Sequence, residues 1–96
     1  MTVRKFENLQ PTIHATAFVD QMALAAGNVS IGADSSVWPM SVVRGDINRI
    51  EIGARTNIQD GSVLHVTHDS EFAPGGHALR VGDEVTVGHR VVLHAC

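Results

Sequence analysis

A chain of 96 residues makes one small domain, long enough to bury a core but with modest margin. Seven Lys and Arg against ten Asp and Glu leave a net charge of −3, which excludes the basic footprint that nucleic acid or an anionic membrane surface requires. No apolar run approaches the ~20 residues of a membrane helix, and Met1-Thr2-Val3-Arg4-Lys5-Phe6-Glu7 lacks a signal-peptide core, so a cytoplasmic location is expected.

Residues 1–11 read as an N-terminal lead-in to a single domain spanning 1–96. From Ile13, steps of six meet only apolar residues: Ile13, Val19, Ala25, Ile31, Val37 and Val43. Four places after each stand Ala17, Ala23, Val29, Ser35, Ser41 and Ile47, all of them small or β-branched. The register slips by three residues, Arg49 to Glu51, and resumes at Ile52, Ile58 and Leu64, with Thr56 and Ser62 in the fourth-after places. An eleven-residue excursion at 70–80, containing Pro74-Gly75-Gly76, is expected as an inserted loop. The register returns at Val81, Val87 and Leu93, with Val85 and Val91 in the fourth-after places. Cys96, the single cysteine, rules out an intrachain disulfide and is expected to be a small buried residue.

Helix is a poor reading of this pattern, because Gly27, Gly32, Gly45, Gly53, Gly61, Gly82 and Gly88 would each cost ~1 kcal/mol inside one. Short strands with a turn every six residues fit better. With only 4% aromatic residues the core must be narrow and filled by small and branched aliphatics. A hexapeptide period of this kind marks a parallel β-helix, whose coils stack around one core. The run beginning Ile31-Gly32 with Ser35 resembles the hexapeptide-repeat family, which implies an all-β, single-stranded left-handed parallel β-helix with three hexapeptides per coil. The hand comes from the resemblance and runs against the general right-handed crossover rule. About four coils are expected, beginning at Ile13, Ile31, Ile52 and Val81, the last ending two residues short at Cys96.

Stacking turns sequence offsets into neighbours about 4.8 Å apart. Arg44, His65 and His94 each follow the leading aliphatic of a third face and form one column. Asp60 and His89 each stand two places after the leading aliphatic of a second face and form another. Two neutral imidazoles one coil apart suit a tetrahedral Zn²⁺, with N–Zn bonds of about 2.0–2.1 Å. His89 lies on another face of its own chain, so His65 and His94 would be completed by His89 of a neighbour in a three-fold trimer. In that arrangement Arg44 would meet the neighbour's Asp60. Three histidines and a water are the catalytic zinc arrangement of carbonic anhydrases.

The triplet Arg44-Gly45-Asp46, the segment Asn57-Ile58-Gln59-Asp60-Gly61-Ser62-Val63-Leu64-His65, and Val87-Gly88-His89 to His94 resemble the γ-class carbonic anhydrases and their γ-carbonic-anhydrase-like relatives across nearly all of 11–96. The resemblance implies a homotrimer with zinc, or iron or cobalt in its place, at subunit interfaces, held by His65, His89 and His94. It implies reversible hydration of CO2 to bicarbonate, and it gives Arg44, Asp46, Gln59 and Asp60 the positions for subunit pairing and for orienting the zinc-bound hydroxide. It also implies further C-terminal coils and a C-terminal helix beyond what this chain contains. Two departures stand out: Ile47 occupies the place of a glutamate, and the loop after His65 carries His68, a candidate proton shuttle, where the family has a proton-carrying glutamate. His14 and His77 read as surface residues, and Trp38 as packing at a subunit face. The alternatives are a metal-binding trimeric scaffold of the same family with little activity, and a hexapeptide acyltransferase working with an acyl-CoA.

Overall fold

The computed structural model describes residues 2–96. Its strands are Val3–Arg4 (β1), Thr12–Ile13 (β2), Phe18–Val19 (β3), Leu24–Ile31 (β4), Ser36–Val37 (β5), Val42–Ile52 (β6), Asn57–Ile58 (β7), Val63–His65 (β8), Leu79–Val81 (β9), Thr86–Val87 (β10) and Val92–His94 (β11). All pairing between these strands is parallel, and among the described residues there is no helix. Ile13, Ile31, Ile52 and Val81 stack on one face, Val19, Val37, Ile58 and Val87 on the second, and Ala25, Val43, Leu64 and Leu93 on the third. The fold is a left-handed parallel β-helix. Nine of the twelve stepped aliphatics are buried; Ile13, Val19 and Leu93, in the outermost coils, pack partly buried against that core.

The turns follow a simple hydrogen-bonding rule. In the second, third and fourth coils each of the first two corners is a four-residue turn whose third residue has positive φ, as the type II turn requires: Asp34, Arg55 and Glu84 at one corner, Met40, Gly61 and Arg90 at the next. Where the coil below offers Ala17 or Ala23, the turn above closes on itself, Ser35 N–H to the Gly32 carbonyl (3.4 Å) and Ser41 N–H to the Trp38 carbonyl (3.2 Å). Where the coil below offers a hydroxyl, that hydroxyl is inserted into the turn. Ser35 Oγ donates to the Gly53 carbonyl (2.6 Å) and accepts from Thr56 N–H (3.0 Å). Ser41 does the same with Gln59 and Ser62, Thr56 with Gly82 and Val85, and Ser62 with Gly88 and Val91. The fourth-after positions are therefore structural, and their buried hydroxyls are satisfied.

The third corner departs from the expected spacing. Gly27 pairs with Gly45, and the next partners are Val29 and Ile50, so the three extra residues of the second coil lie between Gly45 and Ile50 and not at Arg49 to Glu51. Ile50 is fully buried in the place expected for Ile47, which is 45% exposed. Instead of ending at a turn, β4 and β6 run on through this corner. Gly27, at φ +80°, and Gly45 are required here, since a Cβ on either would drive into the backbone carbonyl of the adjoining coil. The longer insertion also begins earlier than 70–80. Thr67 and His77 are bridged antiparallel, with N–H to carbonyl distances of 3.0 and 2.9 Å, and Leu79 and Arg80 already belong to β9. Asn48 joins the two insertions, its Nδ2 donating to the carbonyls of Thr67 (3.1 Å) and Gly75 (3.2 Å).

At the N-terminus, the lead-in contributes β1, whose Val3 pairs with Ala25 beneath the third face. Cys96 is exposed rather than buried, its carbonyl accepting from the Arg80 N–H at 3.0 Å.

Candidate metal centre

On β6, β8 and β11 the alternation of strand side chains turns Val43, Leu64 and Leu93 inward and the residue after each outward. His94 is in direct register with His65, and their ring centroids are 5.5 Å apart at an angle of 48°. Two rings sharing a tetrahedral ion, with N–metal bonds of ~2.0–2.1 Å, would have centroids roughly 5–5.5 Å apart. The pair therefore suits two positions of a first-row ion. Among the described residues no three histidine, cysteine, aspartate or glutamate side chains converge within one chain.

Asp46 lies at the start of the insertion, and the bulge turns it over the histidine column. Its Oδ1 is 2.8 Å from His65 Nε2 and accepts from the Ile47 N–H at 2.9 Å, while Oδ2 accepts from Arg44 Nη1 at 2.8 Å. Burial, the largest influence, pushes the Asp46 carboxyl up. The His65 hydrogen bond, the Arg44 charge, the His65 charge and the Ile47 N–H outweigh it and hold the carboxyl below its ordinary value. Within the chain Arg44 is thus paired with Asp46.

Asp60 and His89 are the second residues of their turns and project from the corner between the second and third faces. His89 Nδ1 is 3.6 Å from Asp60 Oδ1, and both side chains are well exposed. Gln59 opens the same turn as Asp60, with its carbonyl bound by Ser41. This group is separate from His65 and His94 in the single chain. His68 is exposed on the inserted loop and lines an open cleft of ≈ 520 Å³ with Phe6, Leu9, Asp46, Ile47 and Asp69. Trp38 packs against Phe18, ring centroids 5.2 Å apart, and donates from Nε1 to Ser36 Oγ. His14 is exposed against Thr16, and His77 is exposed at the neck of the loop. The residues that sequence reasoning missed are Asn48 and Ile50. The only signal for them was the slip itself, which shows that residues are added but not which ones bulge.

No family model matches the chain. Protein YrdA of Escherichia coli K12 is 47% identical over 94 residues, which is 98% of this chain and 51% of YrdA. Mitochondrial gamma carbonic anhydrase 1 of Arabidopsis thaliana is 44% identical over 86 residues, 90% of this chain and 31% of that protein. Over 90% or more of its length this chain resembles the γ-carbonic-anhydrase-like hexapeptide-repeat proteins. It spans about half the length, or less, of these relatives. In architecture the chain is similar to a crystallised hexapeptide transferase family protein from Anaplasma phagocytophilum, with TM-score 0.85 and 36% identity over 99% of this chain and 51% of that one.

Proposed function

We propose that this γ-carbonic-anhydrase-like chain assembles as a homotrimer in the cytoplasm, holds a metal ion at each subunit interface, and hydrates CO2 reversibly to bicarbonate. The observation that carries the proposal is the His65–His94 pair, in register with ring centroids 5.5 Å apart. In this reading His65 and His94 of one copy and His89 of the next are the ligands. Zinc, or iron or cobalt in its place, supplies Lewis-acid activation of a water near neutral pH when bound. Arg44 pairs with Asp60 across the interface, Gln59 and Asp46 orient the reacting groups, and His68 passes protons from the cleft to solvent. The likeness to a relative named gamma carbonic anhydrase supports the reaction class.

The test is metal analysis, solution mass and CO2 hydration on the purified chain. About one zinc per chain is expected in a trimer, with both metal and hydration lost in the His65→Ala/His94→Ala double variant. A metal-free monomer would sink the proposal. Two observations favour other readings. Ile47, half-exposed where the family resemblance puts a glutamate, favours a metal-holding scaffold, which a loaded trimer without hydration would select. The likeness to a hexapeptide transferase favours acyl transfer, which acetyl-CoA turnover surviving the double variant would select.

A further inference from the structure

The geometry points to Asp46 as a placeholder on the metal-ligand histidine His65: in the metal-free chain its carboxylate occupies the ring nitrogen that an ion would need, so loading proceeds by exchange of Asp46 for metal at Nε2. This inference rests on the metal-site reading above and adds a role for one residue within it.

His65 Nε2 and Asp46 Oδ1 are 2.8 Å apart, and a carboxylate can only accept. The proton of a neutral His65 ring is thereby fixed on Nε2, with Nδ1 bare. Nε2 is the ring atom farthest from the backbone, hence the one able to meet a ligand set completed by a second chain. One nitrogen cannot donate its proton to Asp46 and bind an ion at once. Asp46, moreover, does not depend on His65 for its position. Arg44 Nη1 at 2.8 Å and the Ile47 N–H at 2.9 Å hold it on the insertion, so the carboxylate stays behind when the ring turns to an ion. His94, the other member of the pair, has no such partner among the hydrogen bonds and ion pairs of the described residues. The two ligands of one chain are therefore unequal before loading, one free and one engaged. The exchange balances simply: the Nε2 proton leaves, Nδ1 takes one up, and His65 remains neutral with the ion on Nε2.

The measurement is ¹⁵N-detected tautomer assignment of His65 in the full chain, before and after addition of Zn²⁺, with Asp46→Ala and the closer-shaped Asp46→Asn alongside. The wild type is expected to show the Nε2–H tautomer without metal and the Nδ1–H tautomer with it. Asp46→Ala is expected to lose the enforced Nε2–H form in the metal-free state, and Asp46→Asn to weaken it if the alanine variant does not fold. Zinc-loaded wild type that keeps Nε2–H overturns the exchange, because Asp46 would then be a fixed support for a metal on Nδ1. Metal-free wild type in the Nδ1–H form overturns the placeholder contact itself. Absence of zinc uptake in the wild type and both variants overturns the metal reading and the exchange with it, while the metal-free tautomer still reports on the Asp46 contact.

Discussion

Replacing Ser35 by alanine tests the rule that governs the turns. The hydroxyl bridges the Gly53 carbonyl and the Thr56 N–H, the first and fourth residues of the turn above. If removal stranded both groups, the cost would be ~2–6 kcal/mol, at about 1–3 kcal/mol for each unsatisfied buried group. The structure contains the relaxed alternative, however. Over Ala17 the equivalent turn closes directly, Ser35 N–H to the Gly32 carbonyl at 3.4 Å. The Gly53–Thr56 turn can close in the same way, so the loss falls to about 1 kcal/mol, the net worth of one hydrogen bond. Ser35→Ala should therefore lower the urea midpoint at unchanged slope by that amount. Ser35→Ala/Ser41→Ala should cost about 2 kcal/mol, since the two hydroxyls serve different turns and share no partner. A single-variant loss above about 3 kcal/mol would mean the turn cannot re-close and would refute the reasoning. No measurable loss would refute it from the other side.

The converse substitution, Ala23→Ser, should stabilise by up to about 1 kcal/mol in the same urea assay, by inserting a hydroxyl into the Trp38–Ser41 turn that now closes at 3.2 Å. Asn48→Ala removes both bonds to the inserted loop, so exchange of the His77 amide should speed up by roughly tenfold, equivalent to about 1.4 kcal/mol, while the Gln59 amide in the stack is unaffected. Gly45→Ala drives a Cβ into the Asn28 carbonyl, which is backbone and cannot yield cheaply. A loss of about 3 kcal/mol or more is expected, seen as a collapse in soluble yield or melting temperature.

The stacking was legible because it depends on a sum. Steps of six detect how many residues separate two inward positions, and the twelve stepped aliphatics all lie in or against the core. What the steps cannot detect is where added residues leave the stack. Ile47 satisfied the apolar pattern as well as Ile50 did, yet it is half-exposed and Ile50 is fully buried. The choice was made by Gly45, which lets two coils approach, and by Asn48, which needs the inserted loop to satisfy its amide. The same displacement hid the contact between Asp46 and His65, since that contact exists only because the bulge turns the carboxylate across the column.

The histidines were legible for a different reason. His65 and His94 are 29 residues apart, one coil plus an insertion, so equal position in the repeat predicts their register whatever the loop does. His89 and His94 are only five apart, but the first is the second residue of a turn and the second stands on the strand after it. A corner separates them, and no rotamer of either removes that corner. Within one chain the short spacing therefore divides the histidines between two surfaces, and a site that uses all three must be built from more than one copy.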